Sequence, residues 1–433
     1  MVKQTHKTDI PFNFDIAVAP DKSISHRALI FGAMAYGTTT ISNILEGEDV
    51  LNTANALRSM GVEINKIEDK YVVNGLGIFG LQEPENVFDL GNSGTSTRLL
   101  AGLVTPFNFT SFFTGDKSLC KRPMARIFEP IKMFGANIIS RNNNLLPFAI
   151  IGTKDPIAID YKMKIASAQV KSCILLASLS ANGTTTILEP EKCRDHTEIM
   201  MRYLGLKITS ENFDNGLKHS FEGMQEFDAK NFVVPNDISS ASFFIVAGLL
   251  IKNSKITLKS IGLNPLRTGL ITTLIEMGGN IKIINQQQIN GEIVGDIVVE
   301  YSQLKAVDVP ANRSASMIDE YPILAIACAF AKGVSKLNGL LELKTKESNR
   351  LLMIASNLQN CGVNVKLTDD SLEILGGIAP PKNRVKITTA MDHRIAMSFL
   401  IMGLCLENGV EIDDDSMIKT SFPNFSNIIE QVL

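Results

Sequence analysis

Apolar residues return along this chain in short bursts, and each burst follows a polar or charged turn. The first passes from Pro20-Asp21-Lys22-Ser23-Ile24-Ser25-His26-Arg27 into Ala28-Leu29-Ile30-Phe31. Leu29 with Ala33, and Ile30 with Met34, have the i,i+4 spacing of a buried helix face. A hydroxyl at Ser23 or Ser25 is expected to cap that helix by accepting from an orphan backbone N–H. Comparable starts follow at Asn92-Ser93-Gly94-Thr95-Ser96-Thr97-Arg98, at Ser167-Ala168-Gln169-Val170-Lys171, at Asp237-Ile238-Ser239, at Asp319-Glu320-Tyr321-Pro322 and at Asp392-His393-Arg394. Arg27, Arg98 and Lys171 stand 71 and 73 residues apart, which points to a long repeat.

A second marker recurs out of phase with the first. It is a helix end, a glycine, then an extended segment: Met60-Gly61-Val62, Phe134-Gly135-Ala136, Leu204-Gly205-Leu206, Met277-Gly278-Gly279 and Cys361-Gly362-Val363. Glycine there suits the left-handed residue that ends a helix. Between the markers lie β-rich pieces such as Gly37-Thr38-Thr39-Thr40-Ile41 and Gly183-Thr184-Thr185-Thr186-Ile187. Each unit therefore reads as helix, strand, helix, strands. Six such units, the last cut off at Leu433, divide into two α/β domains of three. The expected domains are residues 1–20 plus 237–433, and residues 21–236, with a crossover near Pro235. The N-terminal strand is expected to pair with the second trio, and one side of each domain to gather helix N-termini.

Composition narrows the function. The 433 residues suffice for two domains with real cores. A content of 45% hydrophobic and 20% charged residues suits a soluble globular protein. A net charge of -3 argues against a general nucleic-acid binder. The longest apolar runs, Phe243–Ile251 and Ile323–Ala331, are too short to span a bilayer. No apolar signal core opens the chain, so a cytoplasmic protein without a membrane partner is expected. The six cysteines form no C-x-x-C pair, which favours reduced core thiols over disulfides or a metal site.

The basic residues are placed against the helix dipole. Lys22, Arg27, Arg122, Arg194, Lys346, Arg350, Arg394 and Lys419 stand at, or within a turn of, predicted helix starts. Dipoles favour cations at the other end, so this placement implies bound phosphates and carboxylates. Gly94 lets a ligand approach the backbone, although the turn has neither a Walker lysine nor G-x-G-x-x-G. Pro123 is expected at the first position of a helix over Met124–Phe134, holding Arg122 at its start. Asp319 is either an ordinary dipole partner or a general base. Glu347 and Arg350 either pair at i,i+3 or belong to a site. His393 reads as a core or cap histidine.

The motifs taken together resemble the 5-enolpyruvylshikimate-3-phosphate synthase family, in wording closest to the bacterial group called class II. They are Pro20–Arg27, Gly91–Arg98, Lys121-Arg122-Pro123-Met124, Ser167–Ser172, Arg194-Asp195-His196-Thr197-Glu198, Ile318–Pro322, Lys346–Arg350, Asp392–Met397 and Lys419–Pro423, in order along the whole chain. The resemblance implies two inside-out α/β barrel domains, each of three βαβαββ units, with the site in the cleft between them. It implies transfer of enolpyruvyl from phosphoenolpyruvate to the 5-hydroxyl of shikimate 3-phosphate by addition and elimination, on the way to chorismate and aromatic amino acids. It implies that no cofactor or metal is needed; separately, a monomer is expected.

Carried over by position, Lys22, Ser23, Arg27, Ser167, Ala168, Gln169, Arg194, Asp319 and Lys346 would hold shikimate 3-phosphate. Lys22, Gly94, Arg122, Gln169, Arg350, Arg394 and Lys419 would hold phosphoenolpyruvate. Asp319 would be the base, with Glu347 and Lys22 as candidates for the acid and for charge stabilisation. Position 168 is Ala where many relatives have Ser, so only a backbone contact survives there. Position 349 is Asn where Asp is common. Gly94 stands where some class II members carry Ala, a difference linked to tolerance of glyphosate, so sensitivity to that herbicide is expected. Two rivals remain: the related UDP-N-acetylglucosamine enolpyruvyl transferase, which uses a reactive cysteine near the region of Arg122, as Cys120 is here, and a non-catalytic anion-binding repeat protein.

Overall fold

The computed structural model describes residues 2–377 and 381–433. The chain divides into two compact units. One comprises Pro20–Val234 with Ile289–Glu292; the other comprises Met1–Ala19, Pro235–Gln288 and Ile293–Leu433.

The first unit carries α1 (Lys22–Met34), α2 (Glu48–Ser59), α3 (Gly94–Val104), α4 (Ala125–Met133), α5 (Ala168–Ser178) and α6 (His196–Leu204). Side chains of α1, α3 and α5 are buried almost throughout. Those of α2, α4 and α6 are buried on one face. Helices apolar all round belong in a core, so the first three form its interior. Three four-stranded sheets share one plan. In the first, Phe232–Val233 runs parallel to Tyr36–Ser42, which is antiparallel to Lys70–Leu76, itself antiparallel to Glu63–Ile67. Thr184–Glu189, in the third, alternates exposed and buried residues, as a strand does with one face on a core. Helices inside and sheets outside is the inside-out arrangement.

The second unit repeats the plan with α7 (Ile238–Leu250), α8 (Gly269–Glu276), α9 (Tyr321–Phe330), α10 (Arg350–Asn360), α11 (His393–Gly403) and the short α12 (Phe425–Ile429). Here α7, α9 and α11 are the buried helices. The start of the chain completes two of its sheets. Asp15–Ile16 lies parallel to Lys255–Gly262. Gln4–Thr5 lies antiparallel to Val410–Ile412, in the place where the other sheets have a hairpin strand.

Local details differ from the sequence reading in physically clear ways. Helix α1 begins two residues before a Ser23 cap would start it, so Asp21 caps it, accepting from Ile24 N at 2.8 Å. Ser25 instead accepts from Leu45 N at 3.0 Å. Pro123 lies before α4 rather than at its first position, and Met124 takes the cap position. Arg122 therefore follows the 3-10 turn Leu119–Lys121 instead of opening a helix. Lys419 sits in the 3-10 segment Ser416–Thr420, ahead of α12. Residues 289–292, which the sequence grouped with the second trio, pack with the first unit. Val233 N donates to Asn290 Oδ1 at 2.8 Å, and His196 Nδ1 lies 2.6 Å from Glu292 Oε1. All five marker glycines have positive φ, and Gly205, at 94°, is the left-handed end of α6.

Helices α3 and α5 pack unusually close. A Cβ at Gly102 would lie 2.2 Å from the Cys173 carbonyl oxygen. Gly102→Ala is therefore expected to force the two helices apart. It should cost about 2 kcal/mol despite the better helix propensity of alanine, read as a lower urea midpoint at unchanged m-value.

Candidate active site

In the first unit, three buried helices bring their starts together through polar side chains. Lys22 is the first residue of α1, and its Nζ lies 3.1 Å from Asp49 Oδ2. Arg27, just over one turn on, is buried. Its Nε donates to Thr197 Oγ1 at 2.7 Å, Nη1 to the Ser23 carbonyl at 2.8 Å, and Nη2 to Ser172 Oγ at 2.7 Å. All three acceptors are neutral. Burial pulls the Arg27 pKa down to about 10, against the attraction of Glu198, Asp21 and Glu292, none of them hydrogen-bonded to it, and Arg194 adds repulsion. A buried cation held by neutral oxygens is short of counter-charge.

Helix α5 joins this group to a second one. Ser167 occupies its N-cap position but makes no side-chain cap bond, and Ala168 opens the helix. Gln169 Oε1 accepts from Arg98 Nη1 at 2.7 Å, and its Nε2 donates to Thr95 Oγ1 at 3.1 Å. Arg98 also donates to the Gly94 carbonyl at 3.1 Å, and Arg122 Nη2 donates to Asn92 Oδ1 at 2.6 Å. A Cβ at Gly94 would lie 2.8 Å from Arg98 Nη1 and 3.0 Å from Arg122 Nη1. Glycine thus lets two guanidinium groups press against the start of α3. Beneath them a polar seam links three helices: His26 Nδ1 to Thr53 Oγ1 at 2.8 Å, Thr53 to Ser96 Oγ at 2.8 Å, and Ser96 to the Asp49 carbonyl at 3.1 Å. Arg194, half-buried, lies in the segment that leads into α6.

In the second unit, Arg350 is the hub. It is fully buried, and each arm of its guanidinium meets a carboxylate. Nε donates to Asp392 Oδ2 at 2.8 Å, Nη1 to Asp319 Oδ1 at 3.0 Å, and Nη2 to Glu347 Oε2. Burial opposes the charge, but Asp392, Glu347 and Asp319 outweigh it and hold Arg350 above the ordinary arginine range. Lys346 Nζ stands 3.7 Å from Asp319 Oδ1. Asp392 also caps α11, accepting from Arg394 N at 3.0 Å. Arg394 Nη1 donates to the Asp319 carbonyl at 3.3 Å and lies 3.7 Å from Glu320 Oε1. Asn349 caps α10 through its amide oxygen, accepting from Leu352 N at 3.2 Å, a bond an aspartate would make equally well.

Asp319, Lys346, Glu347, Arg350 and Arg394 thus form one connected cluster. Lys419 is exposed and, among the described residues, is not tied into it. The i,i+3 pairing of Glu347 with Arg350 is real, yet it is one of three such contacts. Sequence reasoning left out Asp49, Arg98, Ser172, Thr197 and Asp392 as members of these groups. Arg98, Ser172, Thr197 and Asp392 sat inside motifs already singled out. Asp49 gave no local signal, since it meets Lys22 from the next helix. The six cysteines are free thiols, and burial pushes Cys173, Cys193, Cys328, Cys361 and Cys405 up to about 12. Cys120 is half-buried, with Sγ donating to the Gly115 carbonyl at 3.3 Å. No helix among the described residues is long and apolar enough to cross a membrane.

Comparison with known proteins places these clusters in context. The family model described as EPSP synthase (3-phosphoshikimate 1-carboxyvinyltransferase) matches residues 8–429. A protein named 3-phosphoshikimate 1-carboxyvinyltransferase from Paramagnetospirillum magneticum is 48% identical over 414 residues, covering 95% of this chain and 93% of its own. One of the same name from Gluconobacter oxydans is 47% identical over 413 residues, with the same coverage of 95% and 93%. The solved structure of EPSP synthase from Acinetobacter baumannii superposes with a TM-score of 0.88 at 39% identity, covering 99% of this chain and 97% of that one. The enolpyruvyl transferase NikO from Streptomyces tendae shares the fold, with a TM-score of 0.78 over 99% of this chain and 96% of its own, at 15% identity. With its repeats, its buried helix starts and its full-length relatives all in agreement, the chain belongs to the EPSP synthase (3-phosphoshikimate 1-carboxyvinyltransferase) family.

Proposed function

We propose that this chain transfers the enolpyruvyl group of phosphoenolpyruvate to the 5-hydroxyl of shikimate 3-phosphate, releasing phosphate, and that the two clusters supply the groups that do so. The observation that carries the assignment of roles is Arg27, a buried cation at a helix start whose hydrogen bonds go to neutral oxygens. A phosphate dianion supplies the charge it lacks. Ser23, Arg27, Ser167, the Ala168 backbone, Gln169 and Arg194 hold shikimate 3-phosphate, with Lys22, Asp319 and Lys346. Lys22, Gly94, Arg122, Gln169, Arg350, Arg394 and Lys419 hold phosphoenolpyruvate. Both substrates carry a phosphate and a carboxylate, and their mutual repulsion at ~5 Å would cost several kcal/mol at an effective dielectric constant of ~20. The cations offset it.

In the reaction, Asp319 takes the proton of the 5-hydroxyl as its oxygen attacks C2 of phosphoenolpyruvate. A proton delivered to C3 completes the addition, with Glu347 and Lys22 the candidates to deliver it. Phosphate then leaves C2, C3 gives up a proton, and the enol ether remains. For Arg350 to grip a substrate carboxylate, one of its three partners must let go. Glu347, 19% exposed against 15% for Asp319 and 0% for Asp392, is the one placed to do so. The same release frees its carboxyl to carry a proton. The rival cysteine-based transferase is disfavoured by the Lys121–Met124 and Ser167–Ser172 motifs. We read the protein as a cytoplasmic monomer that needs no cofactor.

A coupled assay tests the reading: phosphate is expected only when both substrates are present. Binding of shikimate 3-phosphate without phosphate release on adding phosphoenolpyruvate would leave only the anion-binding rival. Asp319→Asn should lower kcat by about 10²-fold or more. Alkylation of Cys120 should leave the rate unchanged, and a loss would favour the cysteine-based rival. Glyphosate should inhibit in competition with phosphoenolpyruvate. Gly94→Ala, whose methyl would push on Arg98 and Arg122, should weaken both glyphosate and phosphoenolpyruvate, read as a raised Ki and KM.

A further inference from the structure

Behind the segment that carries Arg194 lies a buried group that the proposed reaction does not use. Lys171 of α5 is wholly buried. Its Nζ lies 2.6 Å from Glu189 Oε2 and 2.7 Å from Glu198 Oε1. His219 Nε2, also buried, stands 3.4 Å from Glu189 Oε2 and 3.8 Å from Glu198 Oε1. Burial works against the ammonium, but Glu198 and Glu189 outweigh it and hold Lys171 above the ordinary lysine range. Four elements meet here: α5, the end of the strand Thr184–Glu189, the start of α6 and the strand Gly216–Glu222.

The group grips the backbone immediately before Arg194. Lys171 Nζ donates to the Cys193 carbonyl at 3.3 Å, and Cys193 N donates to Glu189 Oε1 at 3.2 Å. Both main-chain groups of Cys193 are therefore bound to one ion pair. On the far side of Arg194, Glu198 follows Thr197, whose hydroxyl receives Arg27 Nε and meets Ser172 Oγ at 2.7 Å. A buried ion cluster is a poor way to gain stability, because well-packed apolar side chains often do as well. It is a good way to fix a loop, because its hydrogen bonds are directional and costly to leave unmade.

We propose that Lys171, Glu189 and Glu198 are positioning residues that set Arg194 and Thr197 for the phosphate of shikimate 3-phosphate. The proposal rests on the substrate assignment above. It is tested with the double variant Lys171→Met, Glu198→Gln, which removes the cation together with one carboxylate and leaves Glu189 beside His219. The KM for shikimate 3-phosphate should rise about tenfold, while kcat stays within about threefold and the KM for phosphoenolpyruvate within about twofold. Equal changes in both KM values, or none, would overturn the proposal. Should the double variant fail to fold, Glu189→Gln, which keeps shape and loses charge, is read by the same split. A wild-type protein that releases no phosphate from the two substrates would overturn the substrate assignment itself, an outcome separate from any difference among variants.

Discussion

Counter-charge for buried cations is the constraint on which this structure depends. Arg350 and Arg27 are both buried, both near helix starts, and treated oppositely. Arg350 is ringed by Asp319, Glu347 and Asp392, so its charge is met within the protein. Arg27 is met by two hydroxyls and a carbonyl. A buried cation with no carboxylate bonded to it has room for an anion, and phosphate is the anion whose charge and oxygen count suit a guanidinium best. Under the proposed reaction Arg27 takes a substrate phosphate outright, whereas Arg350 takes a substrate carboxylate only in exchange for Glu347.

The fold creates both places by the same device. Each unit buries three helices entirely and wraps them in sheets, so the helix starts crowd together without side chains of their own to spare. Polar residues at those starts must then satisfy one another. The Gln169–Arg98 and Arg27–Ser172 contacts are both made by α5, from residues two before Lys171 and one after it, and the backbone of the same helix at Cys173 leaves no room for a Cβ at Gly102 of α3. Packing distance and chemistry meet on one helix.

Much of this was legible in the sequence because the repeat reports itself twice. The capped helix starts mark one end of each buried helix, and the glycines mark the ends of the amphipathic ones. The five glycines all adopt the positive φ that their position demands. Local starts were read less well. Asp21, not a serine, caps α1, because a two-residue shift of register decides which side chain reaches the third N–H. Arg122 and Lys419 were expected at helix starts and lie in or beside 3-10 segments, whose short turns carry no periodicity to find. The pairings Lys22–Asp49 and Lys171–Glu189 were invisible, since each joins elements that only tertiary packing makes neighbours. In the sequence Lys171 served only to mark a helix start and the repeat; its burial among carboxylates makes it internal.

The strand Gln4–Thr5 has a consequence for the order in which the molecule can be built. Its partner, Val410–Ile412, lies near the other end of the chain. During synthesis the unit holding Pro20–Val234 emerges with nearly all its partners already made, whereas Asp15–Ile16 must wait for Thr257–Leu258 and Gln4–Thr5 stays unpaired until Val410–Ile412 has emerged. Contacts across so long a stretch of chain are slow to close. Gln4–Thr5 is thus among the last strands of its unit to find a partner.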